Sequence, residues 1–448
     1  MTSSKFNMNI KNNYITKLAK KLASLQLAIS LLFSIGIIIS IGTIIEQDQP
    51  LSFYKENYPI YKPLGGFLTW EFITFLSLDK IYTAWWFLLI LFLFAGSLIC
   101  CTFTTQLPSV KTFKLWKFYN RSTQFKNLSI TNNLRLGSFN AFAYNCNDSN
   151  YHFFRQNKKG YAYSGLLGRV APAIVHVSIV LLLIGSTVGS FTGYTAQQFM
   201  PRGEITHIQN LTKFGDISSL PHEITFRIND FWITYTKELK IDQFYSDLSL
   251  LTNEGKEIKR KTIFVNEPLT FKNIVLYQTD WDIVGLKLQV SNQSDPSENF
   301  QLPVKKITKG GRKFWFCSFQ IDQNTSQAIS VVINDLAGEF FLYDSKGVLI
   351  QQGSIGDTIS LSNNLSLSFV SYLTTTGLQI KSDPGIRTVY LSFFLLMVSI
   401  YVSFFTYSQI WLVQANNNII VGGQSNRAVL FFQQEFRKIL KRVTQIVE

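Results

Sequence analysis

The stretch Leu166–Phe191, LLGRVAPAIVHVSIVLLLIGSTVGSF, decides the fold. Beyond Arg169 it carries no formal charge, and it is long enough for a helix to cross a bilayer, which takes about 20 residues. One imidazole, His176, stands inside it, a group that is costly to bury in hydrocarbon and therefore asks for a partner. Three further stretches share this character: Leu22–Ile45, Ala84–Phe103 and Thr388–Tyr407. Charge-free runs of that length seldom occur in soluble cores. Hydrophobic residues make up 46% of the 448 and charged ones only 16%, against roughly 25% charged in an ordinary soluble domain. The chain reads as a polytopic α-helical membrane protein with four transmembrane helices.

The charges give the topology. With spans at 22–45, 84–103, 168–192 and 387–412, the segments between them alternate in basicity. Residues 1–21 hold Lys5, Lys11, Lys17, Lys20 and Lys21 and no acid. Residues 104–167 hold Lys111, Lys114, Lys117, Arg121, Lys126, Arg135, Arg155, Lys158 and Lys159 against Asp148 alone. The tail 413–448 holds Arg427, Arg437, Lys438, Lys441 and Arg442 against Glu435 and Glu448. By contrast, 46–83 carries three bases and five acids, and 193–386 carries 18 bases and 20 acids. This positive-inside pattern puts both termini and the 104–167 loop on the cytoplasm-like side, and 46–83 and 193–386 on the far side. The net charge of +14 is then a topology signal whose counter-charge is anionic membrane lipid, and no nucleic-acid partner is expected. The first apolar run is about twice the length of a signal-peptide core and lacks a small-x-small cleavage site, so it is expected to stay as a span.

The far-side segment shows strand signals. LKLQV at Leu286–Val290 and LSLSFVSYL at Leu365–Leu373 alternate apolar and polar residues. GEFFLYDSKGVLIQQGS at Gly338–Ser354 reads as two strands joined by a turn at Asp344–Gly347, and TKGGRK at Thr308–Lys313 reads as another turn. A large antiparallel β-rich domain, sandwich-like, is expected there. The basic 104–167 loop reads as a small αβ subdomain or as a segment lying on the membrane. Val429–Val447 has apolar residues at helical spacing with bases between them, and reads as an interfacial amphipathic helix.

Of the four histidines, His152, His176, His207 and His222, only His176 lies in a span. At 1.5 Å per residue it sits roughly 10 Å deeper than Arg169, in the basic-side half of the bilayer. At about 100° per residue, Arg169, Pro172, Val180, Leu183 and Thr187 share its face. Gly185 and Gly189 form a GxxxG motif and, with Ser178, a small-residue stripe on the other side, suited to close helix packing. Three roles for His176 are open from the residues: a structural hydrogen bond, a proton relay, or an axial ligand of haem iron. A relay wants further ionisable groups in mid-span, and two-histidine ligation wants a second imidazole at that depth; this chain has neither, so a haem ligand set would be completed by another chain or a second copy. Arg169, two turns away, then suits a haem propionate, or simply anchors the span. The four cysteines form no CxxC or zinc spacing and read as small buried hydrophobes, with a haem- or thiol-handling role open for Cys100 and Cys101. Triad, P-loop, dinucleotide and HExxH motifs are absent, as is CxxCH, so the chain is not itself a c-type cytochrome.

Motifs spread along the chain resemble one family. These are IGTIIEQDQP after the first span, WWFLLILFLFAGSLICC in the second and GRVAPAIVHVSIVLLLIGSTVG in the third. NEPLTFKNIVLYQTDWDI lies in the far-side domain, GLQIKSDPGI leads into the fourth span and YSQIW closes it. The chain resembles the ResB/CcsB membrane proteins of system II cytochrome c biogenesis, in their plastid-encoded form. GGQSNRA in the tail departs from the pattern, with Ser425 where Thr is usual. The resemblance implies a subunit of a cytochrome c synthase (haem lyase), not catalytic alone, that works with a second membrane protein, CcsA. The pair carries haem b across the thylakoid membrane and presents it to the CxxCH of apocytochromes c, such as cytochrome f and c6-type carriers. It implies that His176 is an axial ligand of the haem iron, the other coming from CcsA, that the basic side is stromal, and that the β-rich domain is lumenal. Within that domain Tyr277, Asp280 and Trp281 of YQTDWDI have the character of a surface that holds apocytochrome or docks CcsA, or of ordinary β core; His207 and His222 share the domain. Two rivals from other classes remain on the residues: a b-type haem electron-transfer subunit, which wants two intramembrane histidines, and a membrane-anchored assembly scaffold without haem.

Overall fold

The computed structural model describes residues 14, 16–108, 117–134, 138–237, 241–292, 295–309, 312–320, 328–334, 336–362, 365–415 and 418–445. Lys5, Lys11, Lys111, Lys114, Arg135, Glu448 and the Gly310–Gly311 centre of one expected turn lie outside the described residues. The chain forms two compact units, 1–187 with 385–448, and 188–384. Among the described residues, four helices are long and apolar enough to cross a membrane: Leu25–Ile44, Trp85–Gln106, Ala171–Thr192 and Ile386–Ser403.

In the first unit, α1 (Leu25–Ile44) and the second span pack together through Ile35, Phe87, Phe94 and Leu98. The second span is regular α-helix, α4, over Trp85–Cys101 and continues as a π turn over Thr102–Gln106. Between the two spans, α2 (Leu51–Asn57), α3 (Trp70–Phe75) and a 3₁₀ turn at Leu78–Thr83 close the end of the pair, burying Tyr54, Ile73 and Ile81. The EQDQ motif ties this cap down. Tyr54 donates its hydroxyl to the Glu46 carbonyl, Tyr58 to Glu46 Oε2 (3.1 Å), and Gln47 Nε2 to Leu78 O (2.9 Å).

The third span, α6 (Ala171–Thr192), begins after a left-handed Gly165 and a 3₁₀ turn at Leu166–Arg169. Pro172 sits in its first turn, where a missing N–H leaves no bond unmade. Its Val180 and Leu183 pack on the core of the first two spans. On the other side, a Cβ on Gly185 would stand 3.0 Å from Val389 Cγ2 and 3.1 Å from Thr388 Cβ of α7 (Ile386–Ser403), so this glycine does allow close helix approach. Gly189, the other half of the GxxxG, faces the Asp383 carboxylate instead of a helix.

The basic segments on either side of spans three and four join in one small αβ domain. Its antiparallel sheet has the order β1 (Ile130–Leu134), β21 (Asn418–Ser425), β20 (Ser408–Ala415), β3 (Lys159–Ser164), β2 (His152–Gln156). α5 (Phe139–Asp148) and α8 (Val429–Gln445) cover one face, burying Phe142, Ile410, Leu412, Val421, Phe432, Phe436 and Ile439. The opposite face carries Trp411, stacked on Tyr119 at 4.6 Å, with Phe125 and Tyr161. Two expectations change. α8 is amphipathic, and Phe432, Phe436, Ile439, Leu440 and Val443 of its apolar face pack on the sheet, while Leu430 and Phe431 at its start are exposed. Residues 408–412, expected within the fourth span, are strand: the helix stops at Ser403, and the apolar Ile410 and Leu412 that prolong the hydropathy run face α5 and α8.

The second unit is antiparallel throughout its described pairings. A seven-stranded sheet has the path β10 (Leu269–Phe271), β11 (Ile274–Asn292), β19 (Leu365–Ser382), β4 (Tyr194–Pro201), β6 (Leu211–Phe214), with β12 (Asp295–Pro303) on β11 and β18 (Thr358–Ser362) on β19. A four-stranded sheet contains β5 (Ile205–Thr206), β7 (Ile224–Tyr235), β8 (Ile241–Thr252) and β9 (Glu257–Phe264). A five-stranded sheet runs β13 (Lys305–Lys309), β14 (Arg312–Gln320), β15 (Ala328–Ile333), β16 (Glu339–Tyr343), β17 (Leu349–Ser354). The expected turn between β16 and β17 is present, with Gly347 at φ +78° and its N–H donating to Asp344 O at 3.1 Å. The long strands β11 and β19 serve two sheet-on-sheet cores in succession. Leu276, Leu378 and Ile380 face Phe226 and Leu250, whereas Leu286, Leu288 and Phe369 face Trp315, Val331 and Phe340. Register shifts at Gln278/Asp280 and Ile283/Gly285 mark the join, since a bulge re-aims a strand.

Candidate functional site

His176 sits on the face of α6 that also carries Val180 and Leu183, and it is half-buried. Its neighbour across the helices is Thr102, where α4 passes into the π turn; Thr102 Oγ1 lies 3.1 Å from His176 Nδ1. The same hydroxyl donates to the Leu98 carbonyl of its own helix at 2.7 Å. Thr102 is buried, whereas Phe103, Thr104 and Thr105 are exposed, so of this run Thr102 is the residue turned toward His176. Cys100 and Cys101, the adjacent residues singled out from sequence, are half-buried free thiols. Sequence reasoning passed over Thr102, because a threonine in an apolar helix ordinarily satisfies itself on the carbonyl four residues back.

Arg169 lies at the start of the same span with its guanidinium 4.7 Å from the centroid of the Tyr407 ring, a cation–π contact worth about 0.5–1 kcal/mol. Tyr407 and Tyr161 approach hydroxyl to hydroxyl at 3.2 Å, and Gln409 Nε2 donates to Tyr161 at 2.6 Å. Arg169 is thereby seated against the aromatic face of the small sheet. The backbone on either side is tight. A Cβ on Gly168 would collide with the Phe405 carbonyl, and one on Gly165 would stand 2.7 Å from the Thr406 carbonyl carbon at φ +72°.

The other sequence-derived residues fall elsewhere. Trp281 stacks on Trp315 at 5.3 Å, and Asp282 beside it accepts from Trp315 Nε1 at 2.5 Å and from Lys306 Nζ at 3.1 Å. Asp280 Oδ1 accepts from the Trp281 N–H at 2.8 Å, and Gly377 opposite leaves room for its Cβ. Gln278 is buried in a network with Ser246 and Thr376. Of this motif Tyr277 and Thr279 reach the surface. His152 and His207 are exposed, and the exposed His222 lines a cleft of about 910 Å³ in the β-rich unit together with Lys272, Leu220 and Phe271. Among the described residues no group of three or more His, Cys, Asp or Glu side chains could hold a metal ion. Cys146 and Cys317 are buried; burial, with Glu435 nearby, pushes the Cys146 thiol up to about 12, and burial pushes Cys317 to about 11. Since the thiolate is the reactive form, a maleimide near neutral pH is expected to modify neither until the protein is denatured, as intact mass would report.

The sequence matches the ResB-like family over residues 25–354 and 297–437. The chain belongs to the ResB-like family. The similarity of this ResB-like chain to individual proteins extends nearly end to end. It is 51% identical over 430 residues to cytochrome c biogenesis protein Ccs1 of Emiliania huxleyi, covering 96% of this chain and 97% of that one. It is 40% identical over 430 residues to the Ccs1 protein of Pyropia yezoensis, covering 96% of each. It is 40% identical over 449 residues to cytochrome c biogenesis protein CcsB of Microcystis aeruginosa, covering 99% of each.

Proposed function

We propose that this chain acts in the biogenesis of c-type cytochromes at the haem-attachment step. It is the membrane subunit of a system II synthase that, with CcsA, carries haem across the plastid thylakoid membrane and presents it to the CxxCH of apocytochromes c. The end-to-end similarity to proteins named for cytochrome c biogenesis supports the process. The observation that carries the chemistry is His176, an imidazole in a membrane helix.

The donor set fits haem as cargo. A half-buried imidazole on a largely apolar helix supplies one axial nitrogen for iron. One imidazole leaves the opposite axial position to CcsA. Arg169, at the basic-side end of the span, carries the charge that a propionate needs. On this reading the basic side is stromal and the β-rich domain lumenal. The surface around Tyr277, with Asp280 and Trp281 on the same strand, then faces apocytochrome or CcsA.

The test is an absorption spectrum of the chain purified alone and together with CcsA. The expected result is a b-type haem spectrum from the pair and none from this chain alone. Haem retained by this chain alone would favour an electron-transfer subunit, and no haem in either preparation would favour a scaffold; either outcome sinks the reading.

A further inference from the structure

We propose that Thr102 is a positioning residue for His176: its hydroxyl sets the tautomer and rotation of the ring, so that Nε2 is the nitrogen that presents a lone pair to iron. This role gains its purpose from the haem-ligand reading of His176, but the tautomer is a property of the chain with or without haem. A threonine hydroxyl has one proton and two lone pairs. That proton is committed to the Leu98 carbonyl at 2.7 Å. What Thr102 can offer His176 Nδ1 at 3.1 Å is a lone pair, so Nδ1 is the donor of that bond. A neutral imidazole carries a single N–H, and once it is on Nδ1 the other nitrogen, Nε2, is a free acceptor, the form that binds a metal. The reverse arrangement, with the threonine proton given to Nδ1, would forfeit the shorter bond to Leu98 and leave an N–H on Nε2, which cannot ligate.

The local backbone supports the assignment. Thr102 opens the π turn, whose closing bond runs from the Leu107 N–H to the Thr102 carbonyl, and single π turns recur at functional sites in helices. Thr104, by contrast, donates to Cys100 O and has its hydroxyl exposed. Groups hydrogen-bonded to a metal-binding histidine fix its orientation, and their loss ordinarily lowers metal affinity about 10–100-fold.

The test uses the full chain, labelled with ¹⁵N-histidine, in detergent and free of haem. The His176 signals are identified by their absence from the His176→Ala variant. Nitrogen shifts are expected to show Nδ1–H in the wild type and in Thr102→Ser, which keeps the hydroxyl, and a shift toward Nε2–H in Thr102→Val, which has nearly the same shape and no hydroxyl. In the complex with CcsA, haem retained through washing is expected to fall about 10–100-fold in Thr102→Val and to return in Thr102→Ser. Nε2–H in the wild type, or a Thr102→Val protein with unchanged tautomer, overturns the proposal whatever the haem content. The expected tautomers together with a haem spectrum indifferent to His176→Ala would uphold the hydrogen bond and sink the haem-ligand reading instead.

Discussion

Replacing His176 by alanine is expected to remove the b-type haem signal from the complex with CcsA, and added imidazole is expected to restore it. The loss should exceed the roughly 10–100-fold that follows removal of a group merely hydrogen-bonded to a metal ligand, because the ligand itself is gone. Accumulation of c-type cytochromes should fall with it. The fold should survive: Gly185, which takes the close contact with α7, is on the other side of the helix, and Val180 and Leu183 keep their packing on the first two spans. Thr102 loses an acceptor role but keeps its bond to Leu98. The vacated space is the size of an imidazole, which is why the free base can re-enter. The measurement is the Soret and α-band spectrum of the purified complex, with cytochrome abundance in membranes. A spectrum unchanged by the substitution would assign the ligand elsewhere.

Gly168→Val is expected to prevent accumulation of the folded protein. Its added Cβ would collide with the Phe405 carbonyl oxygen and stand 2.9 Å from the carbonyl carbon, both of them backbone atoms that no side-chain rotation can move aside. Three residues earlier Gly165 is pressed in the same way against the Thr406 carbonyl. To admit the side chain, the entry to α6 must separate from the exit of α7, which pulls on the Ser164–Ser408 end of the β3–β20 ladder and on the Arg169–Tyr407 contact. Overpacking against such a site costs about 3 kcal/mol or more, the upper part of the usual range. Gly96→Ala is the control: nothing lies within 4 Å of its Cβ, and alanine in a helix interior is favoured over glycine by roughly 0.5–1 kcal/mol. Thermal unfolding in detergent and membrane abundance distinguish the two. A Gly168→Val protein that melts with the wild type would refute the packing described at this corner.

Much of the architecture is legible because it follows from local rules. Four apolar runs specify four helices by length alone, and alternation in LKLQV and LSLSFVSYL specifies strands whatever their partners. The boundary of the fourth helix is not legible, since Ile410 and Leu412 are as apolar in a buried strand as in a span. The small αβ domain is hidden for another reason: Tyr161 pairs with Trp411, and no local pattern announces a partner so distant in sequence. Amphipathicity in Val429–Gln445 states that one face is buried without saying whether lipid or a sheet buries it. GxxxG likewise announces close approach but not of what, and its two glycines meet a helix and a carboxylate. At the candidate site the anomaly, His176, is plain in the sequence because it is polar among apolar residues. Its neighbour Thr102 is not, because nothing in a threonine's position distinguishes a hydroxyl that serves its own helix from one that serves two.

The strand leading into α6 and the strand following α7 lie side by side as β3 and β20, while the strand following α6 and the strand leading into α7 pair as β4 and β19. Each end of this helix pair is therefore tied by a strand ladder of its own, one within each unit. Sliding one past the other by a single residue would put every side chain of both ladders on the wrong face, so piston motion between them is closed off. His176 rides on this pair, whereas Thr102 rides on the second helix, and no described strand ladder joins that helix to the pair. Whatever widens or narrows the gap between the two residues is therefore a motion of the second helix relative to that pair.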